Sequence, residues 1–435
     1  MNEVKDAIAM ESQADEAAPS VLLRVLGPGL ITGASDDDPS GIATYSQAGS
    51  QFGYTITWTM LFSYPLMCAV QEISARIGRT TGEGIAANIA KHYPLWLAQG
   101  IVVLLFIANT INIGADLGAM GDALSLLVGG PHLVYVLFFG GFCAGLEIFA
   151  SYKRYVKILR WLSLALFSYF GTVMAVKIPW GEAIRGFLLP SFSSSGAFWS
   201  TVVAILGTTI SPYLFFWQAS QEAEDTKEDP RREPLTMTPA QGPDAIERIR
   251  IDTYLGMAFS NLVALAIMVT TAATLHRAGI TNIETSKQAA EALRPVAGEF
   301  AFAVFTLGIV GTGLLAVPVL AGSAAYAVGE ACRWPTGLAR KPKQAKAFYI
   351  TIAIATMIGT LLNFTAINPI RALYWAAVIN GVVAVPVMVV MMLLTSDRRL
   401  MGQFPVQGLL RIGGWIGTVV LAAAVIGLAL TASFG

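Results

Sequence analysis

Charge is scarce in this sequence. Only 13% of the 435 residues are Asp, Glu, Lys or Arg, about half the share carried by an ordinary soluble domain. A soluble chain of this length must cover its surface with charge, so a water-soluble enzyme is excluded. Neither sign dominates, with 28 basic and 28 acidic residues, and the electrostatic footprint of a nucleic-acid-binding protein is missing. Cysteine is equally rare. Cys68, Cys143 and Cys332 stand far apart in apolar surroundings without metal-type spacing, and they read as small buried residues, not as disulfide or zinc partners.

Apolar residues make up 55% of the chain, in runs long enough to cross a bilayer, which takes about 20 residues per helix. The clearest chargeless runs are 199–220, 254–275, 300–328, 349–369, 372–395 and 412–435, with shorter ones at 54–70, 134–146 and 161–176 flanked by basic residues. A helix around 101–127 and a broken one near 21–51 bring the expected total to eleven. The runs do not alternate, which excludes a β-barrel. The expected fold class is therefore all-α and polytopic.

Basic loops stay in the cytoplasm. With the N-terminus there, 22 of the 28 Lys and Arg residues fall on the cytoplasmic side, and Lys177, Arg185, Arg277, Lys287, Arg294 and Arg371 fall on the other. The C-terminus is then outside. Residues 1–20 have no apolar core and read as a disordered cytoplasmic tail, not a cleaved signal. Residues 21–435 form one transporter domain in this reading. A charged, proline-bearing loop at 221–250 follows the sixth helix, and the helix count suits a five-plus-five inverted repeat, about 21–176 and 198–395, with an extra helix at about 409–434.

Two of the expected spans are interrupted. Gly27 to Thr44 contains Asp36, Asp37, Asp38, Pro39, Ser40 and Gly41 in the middle of an apolar stretch. Proline removes a backbone donor and obstructs the preceding turn, while glycine eases departure from helical angles. Irregular backbone survives in a membrane only where it is buried in protein or lines a wet cavity, and exposed carbonyls beside a carboxylate suit a hard cation. The second interruption is Gly207-Thr208-Thr209-Ile210-Ser211-Pro212-Tyr213, inside the chargeless sixth run. Paired discontinuous helices in the two halves point to a transporter's central site.

The first motif resembles the first-helix segment of the natural resistance-associated macrophage protein (Nramp) family, whose pattern is Asp-Pro-Gly-Asn. The second is similar to the same family's Ala-Thr-Val-Met-Pro-His. The resemblance runs over most of the chain in helix order and implies a LeuT-type fold, with helices 1 and 6 broken, and secondary transport of divalent metal ions. It also implies the ligand set. Asp38 keeps its place, Gly41 stands where the family has asparagine, Ser211 where it has methionine, and Thr208 would offer its backbone carbonyl. Ser35, Asp37, Tyr213, Asn380 and Asn261 complete the candidate metal residues. Without thioether sulfur the donors are all oxygen, which suits Mg²⁺, Ca²⁺ and Mn²⁺. The smaller residues suggest room for a hydrated ion, and Mg²⁺ releases its waters reluctantly. This pattern resembles the Nramp-related magnesium transporter branch, implying Mg²⁺ with Mn²⁺ as second substrate.

Coupling to protons is not expected. Tyr213 stands where the family has histidine, and an unperturbed tyrosine has a pKa of about 10. His92, His132 and His276 lie near expected helix ends, and the expected ninth helix holds no arginine. Several residues carry two readings. Asp116 is either the counterpart of a family acid or solvated near a helix end, and Asp36 and Asp37 either face a wet cavity or cap the broken turn. Asn380 and Asn261 either face the metal or bond a neighbouring helix. Glu147, near Lys153, reads as interfacial, and Glu222, Glu224 and Asp225 as a solvated helix end.

A sodium-coupled carrier of organic solutes would leave a bare helix N-terminus for a carboxylate, which Asp38 would repel. An intramembrane aspartyl protease needs aspartates on separate helices, whereas Asp116 and Asp122 share one. A channel is disfavoured by the absence of a selectivity ring. The expectation is an integral protein of a bacterial inner membrane, not an enzyme. It has no cofactor, its cargo is Mg²⁺ or Mn²⁺, the lipid bilayer surrounds it, and no protein or nucleic-acid partner is evident. The alternative within the family is a proton-coupled Mn²⁺/Fe²⁺ importer.

Overall fold

The computed structural model describes residues 32–33, 35–149, 166–365 and 367–434. The expected tail at 1–20, the first part of the broken helix up to residue 31 and the start of the fifth span at 161–165 lie outside the described residues. Among the described residues the regular structure is helical, with no strand. The first half contains α1 (Pro39–Phe52), α2 (Trp58–Thr81), α3 (Ile85–His92), α4 (Leu95–Val128), α5 (His132–Phe149), α6 (Phe167–Ala175) and the short α7 (Trp180–Leu188). The second contains α8 (Gly196–Thr209), α9 (Pro212–Glu228), α10 (Gly242–Thr271), α11 (Ser286–Glu291), α12 (Ala301–Ala331), α13 (Lys346–Leu362) and α14 (Pro369–Ser396), and α15 (Gly408–Phe434) follows.

Each expected span has a helix, but the ends differ. The second runs on to Thr81 and the third starts at Leu95. The loop expected at 221–250 shrinks to residues 229–241, because α9 continues to Glu228 and α10 begins at Gly242. Charged residues there are paired inside the protein and extend the helices where their sequence reads as loop. Glu222 holds Arg248, and Glu72 holds Arg76. Cys68 and Cys143 are buried as expected, but Cys332 is exposed because it follows the end of α12.

The helices fall into two groups. α1, α2, α9 and α10 pack together, and α4, α5, α12 and α13 form a second layer against them. α14 and α15 lie along α8. Large apolar side chains at Phe62, Phe138, Leu255, Trp375 and Val419 face outward, as expected of surfaces bathed in lipid tails.

Both interruptions have the same local cause. A residue before proline is driven to extended angles, and proline suits the first position of a helix because its missing N–H would be unpaired there anyway. Asp38 is extended (φ −67°, ψ 169°) before Pro39, and Ser211 is extended (φ −79°, ψ 129°) before Pro212. Each proline opens the outgoing half of its helix.

Close approach of the helices depends on glycine, as is usual where lipid gives no hydrophobic drive for packing. A Cβ at Gly207 would lie 2.1 Å from the carbonyl oxygen of Ala377, so α8 and α14 touch backbone to backbone. At Gly78 it would lie 2.0 Å from the carbonyl oxygen of Ala219, joining α2 to α9. Gly78→Val should therefore cost at least the roughly 1–3 kcal/mol of an overpacked core, read as a lower melting temperature and loss of the monodisperse peak in detergent. Gly100→Val, with nothing within 4 Å of the new Cβ, should leave both unchanged.

Candidate metal-transport site

Residues 32–33 and 35–36 are helical, and the chain leaves the helix at Asp37 and Asp38. Asp38 is the N-cap of α1. Its Oδ1 accepts hydrogen bonds from the Gly41 backbone N–H and the Ser40 hydroxyl, both at 2.7 Å. A carboxylate at this position also meets the positive end of the helix dipole. The cap falls to Asp38, so neither Asp36 nor Asp37 has the capping role considered from the sequence. Oδ2 of Asp38 is left facing Tyr213, whose hydroxyl lies 3.3 Å away and also donates to the Ser35 carbonyl at 3.0 Å. Tyr213 thus links the start of α9 to both sides of the break in the first span.

Gly41 sits against the end of α8. A Cβ there would be 3.1 Å from Thr208 Oγ1 and 3.2 Å from the Asp36 carbonyl oxygen. The room expected from the small residue is thus taken up by the inward approach of these neighbours. Ser211 turns its hydroxyl back to donate to the carbonyls of Gly207 at 2.7 Å and Thr208 at 2.9 Å, leaving its oxygen lone pairs directed away from α8. The structure therefore brings Ser35, Asp38, Gly41, Thr208, Ser211 and Tyr213 together at the two breaks, all of them buried.

Asp36 and Asp37 share one donor. Ser260 on α10 gives its hydroxyl to Asp36 Oδ2 and lies 3.2 Å from Asp37 Oδ1. Asp36 Oδ1 and Asp37 Oδ2 are buried with no hydrogen-bond partner among the described residues. Asn380 is also buried, with both amide atoms unpartnered, on α14 beside Gly381 and its contact with Gly207. Asn261 is elsewhere. Its amide donates to the Met60 carbonyl at 3.1 Å and lies 3.5 Å from the Ser63 hydroxyl, so it joins α10 to α2. The helix-bonding reading describes it, because the rotation of α10 that aims Ser260 at the break aims the next residue at α2.

Asp116 lies within α4, twelve residues before its end, buried and with both carboxylate oxygens unpartnered. It is not a solvated helix-end residue. Glu147 is buried instead of sitting at an interface, and its carboxylate oxygens have no hydrogen-bond partner among the described residues. Asp122 accepts a hydrogen bond from Ser286 of α11. Among the described residues, no three His, Cys, Asp or Glu side chains converge to hold a metal, so any ion at the breaks depends on one well-placed carboxylate plus hydroxyl and carbonyl oxygens.

Closures lie at both ends of the site. On one side Gln47 of α1 donates to the Thr281 carbonyl at 3.2 Å and accepts from the Ile283 N–H at 2.8 Å, and His276 Nδ1 is 2.8 Å from the Ser50 carbonyl. A cavity of about 310 Å³ on this side is bordered by Ala43, Gln47, Ser200 and Tyr374. On the other side α9 is fastened by its acids. Glu222 pairs with Arg248, Glu224 holds the Tyr326 hydroxyl and the Ala339 N–H, and Glu330 accepts from Ser220 at 2.7 Å. Of the solvated helix end expected for Glu222, Glu224 and Asp225, Glu222 is instead buried in its pair with Arg248, while half-buried Glu224 and Asp225 hold Tyr326 and Arg232. Ser260, Arg248 and Glu330 were missed from the sequence, where a serine in an apolar run and charges at a helix end carry no distinguishing signal.

Two discontinuous helices meeting at a buried carboxylate, with closures on both sides, define an alternating-access carrier. A family model described as natural resistance-associated macrophage protein-like matches residues 29–431, and the chain belongs to the Nramp family, whose members transport divalent metal ions across membranes. Among solved structures, the manganese transporter of Eremococcus coleocola, crystallised with an aromatic bis-isothiourea compound, is 16% identical. The match covers 96% of this chain and 88% of that one with a TM-score of 0.73. Mhp1, a nucleobase-cation-symport-1 family transporter in a closed conformation with bromovinylhydantoin bound, is 14% identical over 93% of each chain, with a TM-score of 0.59. These likenesses establish the LeuT-type fold.

The test of the site separates charge from capping. Asp38→Asn keeps an oxygen able to accept from Gly41 and Ser40, whereas Asp38→Ala also removes the cap, worth about 1 kcal/mol. Both should abolish divalent uptake into liposomes, and only the alanine variant should lower the melting temperature. Uptake by Asp38→Asn near the wild-type rate would remove Asp38 from the ion's path.

Proposed function

We propose that this chain is a carrier of Mg²⁺, with Mn²⁺ as second substrate, which binds the ion partly hydrated at the paired breaks and moves it without protons. The observation that carries this reading is the donor set. One carboxylate, Asp38, is joined by the Ser35 and Thr208 carbonyls and the Ser211 and Tyr213 hydroxyls, with no sulfur or imidazole among these donors. Oxygen donors favour hard ions, and Mg²⁺ demands six ligands while giving up water reluctantly. Five protein oxygens leave the sixth position to water. The tight contacts around Gly41 mean that a hydrated ion enters when the breaks separate, not in this contracted arrangement. Asp37 and Asn380 belong to the outer shell of this proposal, where their unpartnered atoms meet the ion's water.

Restoring softer donors should move the preference. Gly41→Asn with Ser211→Met should raise Cd²⁺ over Mg²⁺ transport by roughly tenfold or more, because the thioether favours the softer ion and the added volume crowds a hydration shell. An unchanged ratio in the folded double variant would place selectivity elsewhere. Since a Cβ at 41 presses on Thr208 and the Asp36 carbonyl, the melting temperature is measured alongside.

Without proton exchange, inward flow is driven by the membrane potential on two charges, about 4.6 kcal/mol per 100 mV. Asp116, buried near Asp38 and without a side-chain hydrogen-bond partner among the described residues, favours the second reading, a proton-coupled Mn²⁺ or Fe²⁺ importer. Liposomes clamped with potassium and valinomycin and carrying an internal pH reporter decide between them. Mg²⁺ entry should leave internal pH unchanged, and proton entry in fixed ratio to metal would establish the second reading.

A further inference from the structure

Beside the outer end of α1 lies a second cleft, of about 1020 Å³, unconnected with the chemistry of the breaks. Its walls are Phe52 to Thr55, residues 177–191 around α7, and the π-helical turn after α10 (Ala272–His276) with Arg277. Only six Lys and Arg residues fall on the expected outer side of the membrane. Three of them, Lys177, Arg185 and Arg277, line this one cleft. A single carboxylate, Glu182, and His276 share it with them. Among the described residues none of the three bases forms an ion pair. Arg277 donates one hydrogen bond, to the Lys177 carbonyl at 3.1 Å, which draws two of the cationic segments together.

The second observation concerns α7. Trp180, Ile184 and Leu188, four residues apart and so on one helical face, are each more than half exposed, and Leu189 and Phe192 extend the apolar surface. Opposite that face, Ala183 is buried, and a Cβ at Gly186 would lie 2.1 Å from the Tyr54 carbonyl oxygen, so the helix is pinned at the lip of the cleft. A short helix with an apolar stripe and a cationic neighbour at the end of a bundle lies in the plane of the bilayer interface. Trp180 is of the type that anchors there.

We propose that this cleft binds the phosphate-bearing headgroup of an anionic phospholipid, with its acyl chains leaving past Leu189, which lines the cleft and is exposed. Charge complementarity selects the headgroup, since three cations against one acid favour a net-negative phosphate over a zwitterion. Exposed Leu189 in the cleft's own wall, beside Ile178 and Pro190, favours a lipid over a soluble phosphate, which would use the cations alone.

Full-length protein in nanodiscs of mixed phosphatidylglycerol and phosphatidylcholine, released and weighed by native mass spectrometry, tests this. Wild type should retain phosphatidylglycerol in preference to phosphatidylcholine. Lys177→Gln/Arg185→Gln/Arg277→Gln should weaken that retention by roughly tenfold or more, given the contribution of each basic residue to anionic-lipid binding. Lys287→Gln/Arg294→Gln/Arg371→Gln, with the same loss of charge on the same side, should retain it. Equal retention by the two triple variants would overturn the proposal. So would displacement of the lipid by millimolar inorganic phosphate, which would show a site for a soluble anion.

Discussion

A carboxylate deprived of water at the broken start of a helix governs this molecule. Burying such a charge is expensive unless hydrogen bonds and favourable dipoles replace its hydration. Oδ1 of Asp38 receives that replacement from Gly41, Ser40 and the N-terminus of α1. The helix thereby fixes the carboxyl group in direction, and Oδ2 is committed to the space in front of α9. Tyr213 completes the arrangement by reaching from the second break to the first. Moving α1 relative to α9 alters the surroundings of this one oxygen before it alters anything else in the site.

The neighbourhood of Asp38 is also short of donors. Ser260 has one hydroxyl hydrogen for two carboxyl groups, and the Asp116 carboxylate has no side-chain hydrogen-bond partner among the described residues. Arginine and lysine are absent from these positions. Such a region attracts positive charge and repels anions, which separates this centre from carriers on the same fold whose bare helix ends receive a substrate carboxylate.

Much of this was legible in the sequence. The spans stand out because charge is missing over their whole length, and the breaks because Asp-Pro and Ser-Pro interrupt otherwise apolar runs. What was not legible depends on rotation and pairing. Asn261 and Ser260 are adjacent and both polar, and only the packing of α10 sends one to α2 and the other to the break. Glu147 lies six residues from Lys153 and reads as interfacial, yet the packed layer around α5 encloses it. Glu222 and Arg248 are 26 residues apart in a stretch that reads as loop, and their pairing shows only once α9 and α10 are side by side.

The placement of the two prolines has a consequence for the energetics of turnover. Asp38 and Ser211 are biased away from helical angles by the prolines that follow them, and the cap to Gly41 and Ser40 adds to that bias at Asp38, whereas Pro65, Pro318 and Pro386 stand inside continuous helices without such a cap. The breaks therefore resist annealing into continuous helix when the two halves of the carrier separate. A backbone that stays broken spends little conformational entropy in re-forming its ligand-bearing carbonyls for each ion. The cost of a turnover lies in the closures at either end, where side-chain hydrogen bonds and ion pairs break and form as rigid helices tilt.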